Sequence, residues 1–277
     1  PNIQPNYFFV NKNFEKQQVY QGGFSIVDLF LNNSVGIVTS NDAVLINNSE
    51  SDLIKKIQEY YSVEVEKSKI QNISYRPFDN KYIYYDTNLI ERAREKVMKN
   101  FLNRENIGID LYRQLVSDNY SHIFITNKIV DDSFVSNKSR ERGYVFPLYI
   151  YSEKTAQQTI NQANERTPNL NLEIVKKIEE SFEDITYNPE AKAKLENYLE
   201  GYPHQFGPMD LLDYIYAVLH SPKYRTKYKE FLKIDFPQIP YPKDPWSFWQ
   251  LVSRGGKLRE LHLMESPIFN ELITTFP

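Results

Sequence analysis

Residues 75–86 read Tyr-Arg-Pro-Phe-Asp-Asn-Lys-Tyr-Ile-Tyr-Tyr-Asp, with four tyrosines, one phenylalanine and two cations in twelve positions. The residue before a proline is pushed away from helical dihedrals, and Asp79-Asn80 supplies turn chemistry. Residues 81–85 are rich in side chains that favour a pleated surface. The segment therefore predicts a turn followed by a β-strand.

The side chains of this segment have two interpretations. Aromatic residues supply much of the buried area of a fold, so Tyr82, Tyr84 and Tyr85 are predicted to be mainly structural. Arg76 and Lys81 are candidates for contacts with phosphates or base edges. The segment by itself does not separate packing from binding.

The composition of the chain limits the classes of protein to which it can belong. The 277 residues include no cysteine, which excludes a disulfide framework and a thiolate zinc site and suits a cytoplasmic protein. No charge-free apolar run approaches the roughly 20 residues of a spanning helix, and residues 1–5 lack the pattern of a signal peptide. We therefore expect no membrane association, and a first residue of proline suggests a fragment of a longer chain.

The formal net charge of −3 argues against a protein that binds nucleic acid by bulk charge alone. The charge is uneven, because residues 74–145 hold 12 Lys and Arg against 10 Asp and Glu, while residues 146–211 are strongly acidic. This distribution favours local readout with weak intrinsic affinity over a nonspecific basic coat.

The sequence predicts an α+β fold. The first half is predicted to be mixed and mainly β, with DNA-reading loops, and the second half is predicted to be helical. The first half has strand candidates at 34–39, 43–46, 107–116, 122–126 and 144–151, and helix candidates at 51–61, with Ser51 as N-cap, and at 87–102. The second half has helix candidates at 172–182, 189–199, 208–220, 222–231 and 246–263. The predicted domains are 1–151 and 171–277, joined by a polar linker at 152–170.

Catalytic motifs are absent from the sequence. It contains no glycine-rich phosphate loop, no Asn-Pro-Pro-Tyr of an adenine methyltransferase and no H-E-x-x-H. The four histidines are widely separated, and Asp131-Asp132 lacks a downstream E-x-K and is interpreted as a solvated loop. We therefore predict no catalytic residue, no metal site and no cofactor in this chain, and interpret the Gly22-Gly23 and Gly255-Gly256 pairs as turns or helix interruptions.

Three groups of polar side chains are candidates for DNA contacts, with a solvated surface as the alternative for each. Ser, Asn, Lys and Arg side chains in a loop between strands hydrogen-bond phosphates and base edges, and Arg with guanine and Gln with adenine are favoured pairings. The loop candidates are Ser136, Asn137, Lys138, Arg140 and Arg142, the strand-end candidates are Arg113 and Gln114, and the helix candidates are Lys223 and Arg225 with Lys227 and Lys229.

Segments that carry a family resemblance follow one another along nearly the whole chain. They include residues 24–30, 36–39, the Arg-Pro-Phe-Asp block at 76–79, 91–94, 146–151, 213–225, 231–242 and 258–262. In this order they resemble the specificity region that follows the adenine methyltransferase in Type ISP and related single-chain restriction-modification enzymes.

The resemblance implies a module that recognises a sequence in double-stranded DNA and directs methylation and cleavage by nuclease, motor and methyltransferase domains upstream in the same polypeptide. It implies S-adenosylmethionine, ATP and Mg only for the full-length enzyme, and no enzymatic activity for this chain. Two alternatives stay open: that residues 1–70 complete the edge of a methyltransferase catalytic domain, and that the chain is a protein-interaction scaffold with no DNA role.

Overall fold

The computed structural model describes residues 14–115, 120–136, 142–152, 166–191 and 201–270. The predicted α+β class is confirmed, since strands lie mainly in the first half and helices dominate the C-terminal part. None of the helices in these ranges is both long and apolar enough to cross a membrane.

The helices of the described residues have the bounds α1 Phe14–Gln21, α2 Ile26–Leu29, α3 Asp42–Leu45, α4 Glu50–Tyr61, α5 Glu95–Met98, α6 Leu172–Glu179, α7 Pro208–His220, α8 Pro222–Leu232 and α9 Pro245–His262, with single 3-10 turns at Lys67–Lys69 and Pro267–Asn270. Among these helices, α4 in the first half and α7, α8 and α9 in the C-terminal part are the longer ones.

The strands are mostly short. They are β1 Phe24–Ser25, β2 Ser34–Val35, β3 Ile46–Asn47, β4 Ile70–Arg76, β5 Asp79–Tyr84, β6 Gly108–Tyr112, β7 Ile123–Thr126, β8 Ile129–Val130, β9 Gly143–Pro147, β10 Tyr149–Tyr151, β11 Arg166–Pro168, β12 Thr186–Tyr187, β13 Gln205–Phe206 and β14 Gln238–Ile239.

Two four-stranded sheets organise the first half. One has the order β2-β9-β6-β7, with neighbouring strands antiparallel, and the other has the order β3-β5-β4-β8. A buried hydrogen bond of 2.9 Å between the hydroxyls of Ser74 and Thr126 joins β4 of the second sheet to β7 of the first. This hydrogen bond therefore holds the two sheets together where the chain passes from β7 to β8.

The hairpin of β4 and β5 is the segment from which the sequence predicts a turn and a strand. The strand is confirmed. The turn lies at Pro77-Phe78, two residues before the expected Asp79-Asn80, which are the first residues of β5. Tyr84 and Tyr85 are buried in the smaller hydrophobic core, between the second sheet and α4. Their structural role follows from this burial.

A larger hydrophobic core draws on both halves of the chain. It combines side chains from residues 20–30, from β6, β7 and β9, and from α6 to α9, all nearly inaccessible to solvent. Part of the predicted linker contributes as well, because β11 pairs antiparallel with β10 and Leu170 bridges to Phe30. The division of the chain at 152–170 stays a prediction.

Helices α7 and α9 form the closest helix pair in this core. Gly255 lies inside α9 and faces α7 so closely that a Cβ atom there would be 1.8 Å from the carbonyl oxygen of Asp213. Asp213 and Arg259 then join the same helices through two hydrogen bonds of 2.8 and 3.1 Å. The interpretation of Gly255-Gly256 as a helix interruption was wrong, since α9 is continuous and the glycine permits close packing.

Most strand and helix predictions agree with the observed elements. Helix α7 has the predicted bounds, α8 ends one residue later than predicted, and α9 begins and ends one residue earlier. The strands predicted within 107–116, 122–126 and 144–151 are present as β6, β7 and the successive strands β9 and β10. Of the helix predicted at 189–199, only 189–191 fall in the described residues and they form a turn.

Three predictions in the first half were wrong. The strand at 43–46 is a helical turn, α3, because Thr39 accepts a hydrogen bond from the backbone of Asn41 and fixes the turn locally. The helix at 87–102 is reduced to α5, since Arg92 and Val38 exchange backbone hydrogen bonds and Arg94 adopts a left-handed φ of 55°. The N-cap of α4 is Ser49, whose hydroxyl accepts from Asp52 N, and not Ser51.

Gly255→Ala should destabilise the fold. The added methyl overlaps the α7 backbone, which cannot move as a flexible side chain would, so we expect a loss of about 1–3 kcal/mol in the free energy of unfolding. Gly22→Ala is the control, because its Cβ would make ordinary contacts at 3.5 Å. Equal free energies of unfolding for the two variants would contradict the packing argument.

Candidate nucleic-acid interface

Three candidate residues meet at one end of the sheet that contains β6 and β9. Tyr112, the last residue of β6, pairs with Gly143, the first residue of β9, so Arg113 and Arg142 leave adjacent strands at the same edge. A groove of about 290 Å³ opens there, lined by Val35, Arg113, Gln114, Arg142 and Tyr144. Val35 lines this groove because it lies on β2 and pairs there with Tyr144 of β9.

Each arginine of this groove lies beside an aspartate. Arg113 donates from Nε to Asp235 Oδ1 at 2.8 Å, and Arg142 Nε lies 3.2 Å from Asp132 Oδ2. The hydrogen bond to Asp235 raises the pKa of Arg113 above its usual value. Among the described residues, the groove thus presents two cations whose positive charge is partly balanced.

The candidate loop is anchored to the same edge of the sheet. The Tyr112 hydroxyl donates to the carbonyl oxygen of Ser136 at 2.6 Å and accepts from Ser136 N at 3.2 Å. Ser136 and Arg142 are the described ends of that loop, and Asn137, Lys138 and Arg140 lie outside the described residues. The loop therefore leaves and re-enters the fold beside Arg113 and Gln114.

Arg76 and Lys81 form a separate cluster around Tyr75. The Arg76 guanidinium lies 4.0 Å above the Tyr75 ring and donates to Asp131 Oδ1 at 2.6 Å, while Lys81 Nζ lies 4.3 Å from the ring centre. Burial, opposed by Arg76, raises the pKa of Asp131 to about 6. These two cations make internal contacts, and their role in DNA contact stays a prediction.

The helix candidates differ from each other. Lys223 is exposed, whereas Arg225 donates from Nε to the carbonyl oxygen of Leu219 at 2.6 Å and is partly buried. Burial lowers the pKa of Arg225. Arg225 thus satisfies a carbonyl group at the C-terminal end of α7, a common role of cations at that position.

Asp110 is a buried acid directly behind the groove. It is fully inaccessible, neither carboxyl oxygen has a hydrogen-bond partner among the described residues, and a Cβ at Gly143 would be 2.3 Å from its Oδ1. Burial, together with the charges of Asp131 and Asp132, raises the pKa of Asp110 well above its usual range. The raised pKa favours the neutral form of this side chain, which lies next to the β6-β9 pairing.

A cavity of about 520 Å³ lies between the sheet region and the C-terminal helices, lined among others by Arg104, Arg166 and Arg259. These arginines make internal contacts: Arg104 lies over Tyr151, Arg166 over Tyr149, and Arg259 pairs with Asp213. Burial, opposed by Arg259, raises the pKa of Asp213 to about 6. The cavity thus presents both signs of charge and gives no clear preference for an anion.

The histidines are less separated in space than in sequence. The rings of His220 and His262 lie 5.5 Å apart, and His262 stacks on Phe124 at 4.7 Å. Across the described ranges, no group of three or more His, Asp or Glu has an arrangement that could hold a metal ion.

Sequence reasoning missed four residues of this region. Val35 and Tyr144 line the groove, and Asp132 and Asp235 pair with its arginines. Asp235 is 122 residues from Arg113 in the chain. No spacing pattern reveals such a pair, although Asp131-Asp132 was singled out as a polar loop.

The comparison with protein families matches residues 59–277 to the Type ISP C-terminal specificity domain. The chain belongs to this family. The suspected resemblance is thereby confirmed over most of the chain, and four of the five groove residues lie within the matched region, with Val35 before it. No curated protein matches the chain.

Solved structures show the same fold for this specificity domain. A cryoEM structure of a DrdV-DNA complex has a TM-score of 0.64 at 21% identity. The match covers 85% of this chain and 23% of the chain in that structure. The Type ISP restriction-modification enzyme LlaBIII bound to DNA has a TM-score of 0.63 at 19% identity and covers 92% of this chain and 17% of its own.

A nuclease-deletion mutant of the Type ISP restriction-modification enzyme LlaGI in complex with a DNA substrate mimic has a TM-score of 0.61 at 19% identity. The match covers 89% of this chain and 20% of the LlaGI chain. The specificity domain thus spans about a fifth of the length of these proteins. At these identities the likeness establishes the fold.

Asp110→Asn should change how stability depends on pH. Because the folded-state pKa of Asp110 is raised, its contribution to stability is present below the unfolded pKa and is lost as pH rises through the folded pKa. The asparagine variant has no such loss. Between the unfolded and the folded pKa, its free energy of unfolding should therefore rise relative to that of wild type by up to about 1.4 kcal/mol per pH unit.

Chemical denaturation at a series of pH values above the usual Asp range measures this difference. Asp28→Asn, at an exposed position, is the matched control. A difference between Asp110→Asn and wild type that does not change with pH would show that the carboxyl is not held neutral.

Proposed function

We propose that this chain reads a specific sequence in double-stranded DNA as the target-recognition domain of a longer restriction-modification polypeptide. The observation that carries the proposal is the register of β6 and β9, which places Arg113, Gln114 and Arg142 in one groove beside the ends of a polar loop. Family membership and the fold shared with DNA-complexed structures support it.

The groove has suitable chemistry for reading bases. An arginine can donate two hydrogen bonds to O6 and N7 of guanine, and a glutamine can donate to and accept from adenine. Arg113 and Gln114 are exposed at a strand end, and Arg142 is partly exposed on the neighbouring strand. A rigid sheet edge holds such side chains more accurately than a free loop does.

The charge of the chain favours recognition with modest affinity. A net charge of −3 and arginines beside aspartates leave few cations to neutralise phosphates. Because phosphate contacts supply most nonspecific binding, discrimination here rests mainly on base contacts. The upstream domains would add affinity through their own contacts with DNA.

We assign methylation, ATP hydrolysis and cleavage to nuclease, motor and methyltransferase domains upstream in the full-length polypeptide. S-adenosylmethionine, ATP and Mg would be bound there and not by this chain. The absence of Asn-Pro-Pro-Tyr and of a phosphate loop from the sequence supports this assignment. The alternative that residues 1–70 complete a methyltransferase edge stays a prediction.

Alanine variants should separate base contacts from phosphate contacts. If Arg113, Gln114 or Arg142 reads a base, its truncation should cost about 1–3 kcal/mol on the preferred site and relax preference at one position. Lys223→Ala is the comparison, since loss of a phosphate contact weakens binding to all sequences alike. Selection of bound duplexes from a randomised pool, followed by affinity measurement, gives both quantities.

The proposal fails if all three groove variants keep the sequence preference and affinity of wild type. In that case the recognition surface lies elsewhere, and Asn137 and Arg140 become the next positions to truncate. Complete absence of duplex binding at low salt would instead favour the interaction scaffold.

The purified chain should transfer no methyl group from S-adenosylmethionine to DNA and hydrolyse no ATP, because the sequence motifs for both activities are absent. Radiolabelled methyl incorporation and phosphate release measure these activities, with a full-length Type ISP enzyme as the positive control. Turnover by the 277-residue chain above a no-protein blank would contradict the assignment.

A further inference from the structure

The strongest unassigned feature is the contact between Arg113 and Asp235. It joins a strand end in the β-rich half to the segment after α8 in the helical half. Both side chains are more than half exposed, at 54% and 59%. An ion pair so exposed adds little to fold stability, so its effect falls on the orientation of Arg113.

Asp235 is itself held in place. Its Oδ1 also accepts from Phe236 N at 2.9 Å, and the Phe236 ring packs edge-on against Tyr144 at 5.1 Å and Phe146 at 5.6 Å on β9. The carboxylate is therefore fixed to the strand that forms the other wall of the groove.

The backbone reinforces the same junction. Leu115 N donates to the carbonyl oxygen of Lys233 at 3.2 Å, which ties the segment after β6 to the end of α8. Arg113 thus lies between two fixed points, one on its own strand and one on Asp235.

The hydrogen bond to Asp235 uses only Nε of the guanidinium. Within the described residues, the terminal nitrogens of Arg113 make no hydrogen bond. Those nitrogens form the pair of parallel donors that matches O6 and N7 of guanine. A carboxylate at Nε therefore leaves the base-reading end free while it restricts rotation of the side chain.

The charge of Asp235 has a second effect. A phosphate that approaches Arg113 also approaches this carboxylate and is repelled by it. A guanine edge carries no net charge and meets less repulsion. Discrimination between bases and backbone is a difference of affinities, and a repulsive group beside the contact increases it.

We propose that Asp235 is a positioning residue for DNA recognition: it orients Arg113 toward base edges and disfavours its nonspecific contact with phosphates. The inference rests on the proposed function of the groove. It gives the helical half a direct part in specificity, through a residue that need not touch DNA.

Binding to two duplex probes tests the proposal. The probes are a duplex enriched by the wild-type chain from a randomised pool and an unselected duplex from the same pool. Asp235→Asn should lower the ratio of the two affinities by about fivefold or more, since a well-placed bidentate contact supplies at least that discrimination. Its affinity for the unselected duplex should equal or exceed that of wild type.

The matched control is Glu59→Gln, which makes the same charge change in an exposed pair with Lys55 on α4, away from the groove. Combining Asp235→Asn with Arg113→Ala should reduce the ratio no further than Arg113→Ala alone. Asp235→Ala, which removes the acceptor altogether, should behave as Asp235→Asn does.

A readout without DNA tests orientation separately. The Arg113 Nε–H resonance should be protected from solvent exchange in wild type and lose that protection in Asp235→Ala, which has no acceptor, with the melting temperature unchanged. A lowered melting temperature with an unchanged affinity ratio would assign Asp235 a structural role and overturn the proposal.

Equal loss of discrimination in Glu59→Gln would also overturn it, since the effect would then belong to net charge. If wild type binds no duplex at all, the proposed function fails, and this inference fails with it. If wild type discriminates and Asp235→Asn discriminates equally well, only the inference fails.

Discussion

The close contact between Gly143 and Asp110 is the constraint on which the groove depends. A Cβ at position 143 would lie 2.3 Å from the Asp110 carboxyl, so a larger residue there would displace this buried side chain or shift β9 against β6. That pairing sets the positions of the residues that follow β6 and precede β9. Arg113 and Arg142 meet at one edge because of this register.

The two halves of the chain act as one scaffold around this sheet. The β-rich half supplies the groove, and α6 to α9 complete the larger core behind it. Gly255 brings α7 and α9 together, while the segment after α8 delivers Asp235 to the groove. A rigid helical support explains how short strands can hold side chains accurately enough for recognition.

Electrostatics in this molecule are balanced locally as well as overall. Arg76, Arg113 and Arg142 each lie beside an aspartate, and the raised pKa of Asp110 favours its neutral form behind them. Such a surface attracts DNA weakly over long range and favours short-range contacts. The chain spans only about a fifth of the length of the solved proteins that share its fold.

The sequence by itself determined the fold class, helices α6 to α9 of the second half and three residues of the groove, Arg113, Gln114 and Arg142. These follow from local causes: apolar spacing, proline at helix starts and side chains that favour strands. The order of motifs also indicated the family. Local preference failed at 43–46, where a polar turn forms a short helix, and at 87–102, where a tertiary bridge between Val38 and Arg92 replaces most of a helix.

Only the tertiary structure decided which polar residues act together. Strand register joined Arg113 to Arg142, and an aspartate 122 residues away in the chain turned out to hold Arg113. Arg76 and Lys81 instead meet at the Tyr75 ring, and neither is among the described residues that line the groove. Sequence spacing encodes neighbours along one helix or strand, whereas contacts between distant segments depend on how whole elements pack.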